Sequence, residues 1–334
     1  KRQPNNPGAR YSLGNIYRYR GWQNKSLPEY NQVLTMDPKL LPARTSYAQA
    51  KIEQQEYPQA NSELRIVQPL HPGNKAVMDL NEEWLLYRSW QLLVDATWGK
   101  STGDTFGCNQ HEINAWLFSK PVEDNFRFYL RTFDNYAKFN DGSPSRRKAA
   151  AGAEYRKGVW TARGEVNWNR TESDDTGFAG RVDYRINDEW TAGGTLEINS
   201  YLTQLRAYRA DIDSNLLSGD IRFARDESYS AGLGIGAQDY DDGNLQLSLV
   251  GDSRMRLVNK FKYKLDGLAN FSITPHSDGD DTVYYAPERQ ADLSVGAQNI
   301  WQQYRRYDAG LTHRLTGQVG VNNQKNFGSD FIWV

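Results

Sequence analysis

The stretch Gly158-Val-Trp-Thr-Ala-Arg-Gly-Glu-Val-Asn-Trp-Asn-Arg170 constrains the fold more than any other part of the chain. From Trp160 the side chains alternate strictly. Trp160, Ala162, Gly164, Val166 and Trp168 fall on one face, and Thr161, Arg163, Glu165 and Asn167 on the other. A period of two marks an extended strand with one apolar and one polar face. In a soluble sheet a second layer must cover the apolar face. In a transmembrane barrel lipid covers it, aromatic residues sit at the two interfaces, and the polar face lines a watery lumen. The pattern recurs from Arg88 to the C-terminus, so the choice between these solutions governs most of the chain.

Composition favours the barrel. The hydrophobic fraction is 38% and the mean hydropathy is −0.78, low for soluble domains. Aromatic residues nevertheless reach 13%, with 10 Trp and 20 Tyr. No apolar run approaches the roughly 20 residues of a membrane helix, which excludes a helical membrane protein. A net charge of −1 makes no electrostatic case for nucleic acid. The single Cys108 excludes an internal disulfide and a thiolate metal cluster. No signal peptide is visible at Lys1, as expected of an exported chain that has lost one or of a sequence that begins downstream of it.

Residues 1–86 read differently. They are helical and they repeat: Asp37-Pro38 and His71-Pro72 lie 34 residues apart, the tetratricopeptide period. Small residues at Gly14, Ser26, Ala48 and Ala60 let paired helices approach, Tyr30 and Leu64 fill the space between hairpins, and the prolines end each second helix. Two repeats are short of a stable stack, so more are expected before Lys1. Asn74 to Tyr87 reads as one further helix. The period then changes from 3.6 to 2, with Trp90, Leu92, Val94, Ala96 and Trp98 set against Gln91, Asp95 and Thr97, and the domain boundary is placed near Leu86.

Residues 87–334 read as fourteen strands: 88–99, 110–120, 126–138, 147–156, 159–169, 176–186, 190–201, 215–224, 229–239, 244–254, 259–273, 289–302, 305–321 and 327–334. The turns Val122–Asn125, Lys157-Gly158 and Asn187–Glu189 are short. Lys100–Gly107, Asn140–Pro144, Thr171–Asp175 and Ser277–Thr282 are longer and rich in Asp, Gly, Ser and Pro. Short turns on one rim and long loops on the other are expected of outer-membrane barrels. Leu202–Asn215 is either a loop that folds into or over the pore or an ordinary surface loop. The chain stops at Phe331-Ile-Trp-Val334 without a complete last strand, so about sixteen strands are expected of the intact barrel.

Motifs for catalysis are sparse. His71, His111, His276 and His313 are scattered, no pair has metal-ligand spacing, and neither a Gly-x-Ser-x-Gly elbow nor a phosphate loop is present. A barrel acyl hydrolase would need serines beside His276 or His313. No cofactor is implied, and the chain reads as a non-enzyme. The polar strand faces say more. Acids recur at inward positions: Asp95, Glu154, Glu165, Asp183, Glu197, Asp220, Asp252, Asp266 and Asp292. Arg127, Arg131, Arg163, Arg181, Arg222, Lys262 and Lys264 share those faces. Such charges either pair across adjacent strands and fix register, or form acidic rings that favour neutral or cationic cargo. Trp116, Tyr129 and Phe133 also point inward and are candidate platforms for pyranose rings.

Tetratricopeptide repeats running straight into an aromatic-rich barrel are an unusual union. Together with Trp90-Gln-Leu-Leu-Val-Asp-Ala96, Asn244–Leu249 followed by Gly251-Asp252, Tyr304–Asp308 and Leu311–His313, it resembles the outer-membrane exporters of poly-β-N-acetylglucosamine, a biofilm exopolysaccharide. The resemblance spans both regions, though the solenoid is shorter and the last strands are missing. It implies a porin that exports the partially deacetylated polymer, helical repeats in the periplasm that dock a polysaccharide deacetylase, and an acidic lumen that attracts the cargo's amines weakly and at many sites. The alternatives are an exporter of cellulose or alginate, a soluble solenoid joined to a glycan-binding β-fold, and the acyl hydrolase. Anionic alginate would want a basic lumen.

Overall fold

The computed structural model describes residues 6–100, 108–169, 175–279, 282–306 and 309–325, and the backbone of 328–333. Five helices come first: α1 (Pro7–Tyr19), α2 (Gln23–Met36), α3 (Leu41–Glu53), α4 (Tyr57–Leu70) and α5 (Lys75–Tyr87). The 34-residue spacing is visible in the packing. Ser26, Tyr30 and Val33 of α2 and Ala60, Leu64 and Val67 of α4 occupy equivalent buried positions. A Cβ on Gly14 would come within 2.7 Å of the Tyr30 ring, so only glycine admits that tyrosine. The Tyr30 hydroxyl donates to Asn15 at 2.7 Å, and burial pushes its pKa up to about 12. Helices α2 and α4 stop at Met36 and Leu70, where the Asp37 and His71 amides bond back to Val33 and Val67 and a proline follows each cap. Asn74 caps α5, which adds Val77, Leu80, Trp84 and Tyr87 to a core shared with Tyr57, Leu64 and Val67.

Fourteen strands follow: β1 (Gln91–Lys100), β2 (Asn109–Phe118), β3 (Phe126–Ala137), β4 (Ser145–Lys157), β5 (Trp160–Asn169), β6 (Thr176–Arg185), β7 (Trp190–Ile198), β8 (Ser214–Asp226), β9 (Tyr229–Tyr240), β10 (Leu245–Lys260), β11 (Tyr263–Pro275), β12 (Arg289–Arg306), β13 (Ala309–Gln324) and β14 (Gly328–Trp333). A short helix, α6 (Leu205–Arg209), lies between β7 and β8. The strands form one antiparallel sheet in sequence order, with β1 and β14 at its edges among the described residues. On β5 the alternation holds side chain by side chain. Trp160, Val166 and Trp168 are exposed on the outside, while Glu165 and Asn167 are buried inside. Paired outward rings gather at the short-turn rim, Trp160 on Tyr184, Trp190 on Phe223 and Phe126 on Tyr155. That is the aromatic girdle of a membrane interface.

Several expected boundaries shift. β1 starts at Gln91 instead of residue 88, because Arg88 and Ser89 finish the helix: their amides bond back to Trp84 and Leu86. β10 runs on to Lys260, past the expected end at 254. A bulge between Arg256 and Val258 breaks the alternation there and imitates a turn. A second bulge, between Gln302 and Tyr304, explains why β12 continues to Arg306 instead of ending at 302. At the other end of β7, Asn199 takes a left-handed conformation and closes the strand at Ile198 instead of 201. The loop residues 101–107, 171–174 and 280–281 lie outside the described residues.

The helices seat on the short-turn rim. Trp22, at the start of α2, offers no side-chain cap. The Asp188 carboxylate of the β6–β7 turn supplies it, accepting from the Asn24 and Lys25 amides at 2.8 and 3.1 Å. Trp22 Nε1 donates to the Arg225 carbonyl at 2.7 Å, and Gln55 bonds to Thr161 at 3.0 Å. Arg127, only 2% exposed, donates to the Tyr87 carbonyl and to Gln91.

Candidate functional site

The inner wall from β2 to β7 encloses a 230 Å3 cavity lined by Trp116, Tyr129, Arg131, Arg163, Glu165 and Glu197, among others. Each comes from an inward position, so the alternation of the sheet builds the site. Arg131 organises it. Its guanidinium meets Glu165 at 2.9 Å, donates to Asn114 Oδ1 at 2.9 Å, and lies 4.9 Å from the Trp116 ring. Glu165 is 4% exposed, and a carboxylate so deep needs such a partner. Next to it Arg181 bridges Asp183 at 2.6 Å and Asp220 at 2.9 Å. Glu154 meets Arg156 at 2.8 Å and Arg163 at 3.7 Å. This wall is a network of paired charges fringed by aromatic rings.

Residues 199–213 cross the long-loop mouth. Arg146 donates to the Ser200 carbonyl at 2.6 Å and pairs with Asp213 at 3.1 Å. Lys148 donates to the Asn199 carbonyl. Tyr201 stands edge-on to Phe133 at 5.2 Å and lies 3.7 Å under the Arg131 guanidinium. Gln204 reaches the Tyr285 carbonyl at 2.7 Å, on the segment between β11 and β12. One segment thus touches inner residues of β3 and β4 and the far loop. It folds over the lumen and is not an outer surface loop.

The inward acids have distinct surroundings. Glu154, Glu165, Asp183, Asp220 and Asp266 are ion-paired. Glu197 accepts from the Ser200 hydroxyl and the Tyr201 amide, at 2.6 and 3.1 Å. Asp292 accepts from Ser272, Gln290 and Asn322. Asp95, opposite Asn114 in register, and Asp252 are exposed, with no cationic partner among the described residues. Trp116 and Tyr129 line the cavity, whereas Phe133 packs beneath Tyr201. Sequence reasoning missed Arg146 and Lys148, although they share parity with Glu154 on β4. It also missed Arg254, which shares parity with Asp252 on β10, Arg314 on β13, which stands opposite Ile300, and Arg305, which lies past the β12 bulge.

A helical region leading into an antiparallel sheet, apolar outside and charged within, defines a membrane β-barrel protein. The PgaA membrane β-barrel domain profile matches residues 86–334, and the chain belongs to that family; it is an outer-membrane protein. Over 98% of its length it is 22% identical to the poly-β-1,6-N-acetyl-D-glucosamine export proteins of Escherichia coli K12 and O157:H7. It spans 41% of the length of those relatives. A solved bacterial polysaccharide outer membrane secretin superposes with a TM-score of 0.65 at 22% identity, over 74% of this chain and 83% of that one.

Proposed function

We propose that this chain exports partially deacetylated poly-β-N-acetylglucosamine across the outer membrane. The observation that carries this reading is the match over 98% of the chain, helices included, to proteins named as exporters of that polymer. Trp116 and Tyr129 supply faces on which a pyranose ring can stack. Asp95 and Asp252, acids without a counter-charge among the described residues, supply weak attraction for amines, strong enough for capture and weak enough for release. The helical repeats lie on the periplasmic side and dock the deacetylase. Exposed Ile66 and Leu70 on α4 and Met78 and Leu85 on α5 support such a contact.

Export of another exopolysaccharide is the nearest alternative. An acyl hydrolase has less support: His276 Nδ1 lies 2.9 Å from the Pro287 carbonyl and His313 Nε2 is engaged with Gln303. The test is single-channel recording in planar bilayers. Partially deacetylated glucosamine oligomers block the current, and Asp95→Asn with Asp252→Asn weakens the block. Channels indifferent to these oligomers overturn the cargo assignment.

A further inference from the structure

A second cavity, of 220 Å3, lies where residues 199–213 cross the long-loop mouth. Its two walls differ in kind. One is the inner face of β2 and β3, with Gln110, Glu112 and Asn135. Glu112 and Asn135 face each other in register, and Gln110 stands two residues along β2 on the same face. The other wall is apolar and comes from Phe139, Leu202 and Leu205. Phe139 and Leu205 pack on Ala137, so that wall is preformed, and Leu202 is exposed. Arg206 also lines the cavity, with its guanidinium 4.6 Å over the Phe139 ring.

The polar wall is unengaged. Among the described residues the side-chain amides of Gln110 and Asn135 make no hydrogen bond, and Glu112 has no ion pair and accepts only from Asn114, at 3.2 Å. Each amide can donate and accept, and the carboxylate can accept. An acetamido group uses that whole set: its N–H seeks an acceptor, its carbonyl a donor and its methyl an apolar surface. A bare ammonium has no use for the amide donors or the apolar wall, and it meets the Arg206 charge. The volume is below the roughly 300–1,000 Å3 of drug-sized sites, which suits one sugar ring with its substituent.

Position adds a second argument. Trp116, Asn114, Glu112 and Gln110 alternate along β2, so one inner strand face runs from the Arg131 cavity to this one, roughly 13 Å from Trp116 to Glu112. Asn114 joins the two, accepting from Arg131 and donating to Glu112. A polymer that leaves the first cavity along this face meets the second next, and successive weak sites permit both entry and exit.

We propose that this cavity is a second carbohydrate subsite, selective for an N-acetylated hexosamine unit. It rests on the transport reading above for the polymer, and it adds which units are held at the long-loop mouth: the acetylated ones, while Asp95 and Asp252 attract the amines. The experiment is titration calorimetry on the full chain in detergent micelles. The probes are a fully acetylated β-1,6-linked N-acetylglucosamine oligomer, its fully deacetylated counterpart and a cello-oligosaccharide of the same length, which has no acetamido group.

The acetylated oligomer binds with little dependence on salt, whereas binding of the deacetylated one weakens as salt rises. The double variant Gln110→Leu, Asn135→Leu lowers affinity for the acetylated oligomer by roughly tenfold or more and leaves that for the deacetylated one unchanged. Heat-modifiable gel mobility checks that this variant folds, and Gln110→Leu alone gives a graded loss if it does not. Acetylated binding that survives the substitutions, or a cello-oligosaccharide that binds equally well, overturns the subsite. Binding of the deacetylated oligomer alone overturns it too and leaves the cargo reading standing. Binding of the acetylated oligomer alone, lost in the variant, defeats the amine attraction and leaves this subsite standing. Failure of both to bind overturns the cargo reading and the subsite with it.

Discussion

The two flanks of the lumen treat charge in opposite ways. On β3 to β8 both fully buried acids have a base, Arg131 for Glu165 and Arg156 with Arg163 for Glu154, and Arg181 pairs with the half-buried Asp183 and Asp220. On β10 to β13 the pair Arg256 with Asp266 is surrounded by cations that have no ion pair among the described residues. Both flanks come from strands with the same alternation, so alternation places charge but does not assign it a task. Paired charge holds strands in register. Unpaired charge is free to meet a solute.

The largest test of that contrast is Arg131→Ala. It leaves Glu165 buried without its partner and lowers barrel stability by about 3–5 kcal/mol, whereas Arg314→Gln changes it by no more than about 0.5 kcal/mol. Heat-modifiable gel mobility reads both, and equal losses break the comparison. Arg146→Ala sharpens it at the mouth. The variant frees Asn199, Ser200 and Asp213 of that segment from the β4 wall at a cost of about 3 kcal/mol, and single-channel conductance rises. Unchanged conductance means that the segment does not narrow the path.

Smaller effects belong to the helices. Asp188→Ala uncaps α2 from the barrel side and costs about 1 kcal/mol, seen as earlier loss of helical circular dichroism with an intact barrel. The mildest case is Glu83. Burial first, and Glu53 second, raise its pKa above the ordinary 4.5. A carboxyl with a raised folded-state pKa weakens the fold once ionised, so the penalty is absent well below pH 4.5 and complete above the folded value. Glu83→Gln therefore raises the helix melting temperature near neutral pH, and the gain fades as pH falls. A gain that persists in acid refutes the assignment.

Much of this molecule was legible in the chain. The 34-residue period located Tyr30 and Leu64 in equivalent buried positions, because helical packing depends on local spacing of small and bulky residues. Strict alternation located the strands and put Glu165 inside and Trp160 outside, because a pleated strand leaves no other choice. The bulges at 257 and 303 were not legible, since an extra residue in one strand looks like a turn until its partner strand is known.

Pairing is non-local for the same reason. That Arg181 bridges Asp220, that Arg146 reaches Asp213, and that Asp188 caps a helix 164 residues away depends on distances set only when the sheet curls. The sequence by itself determined the elements, their faces and the sign of each charge, all of which follow from backbone geometry. Tertiary structure alone decided which charges neutralise one another, which stay free and that residues 199–213 fold over the lumen, because those depend on closeness in space between residues far apart in the chain.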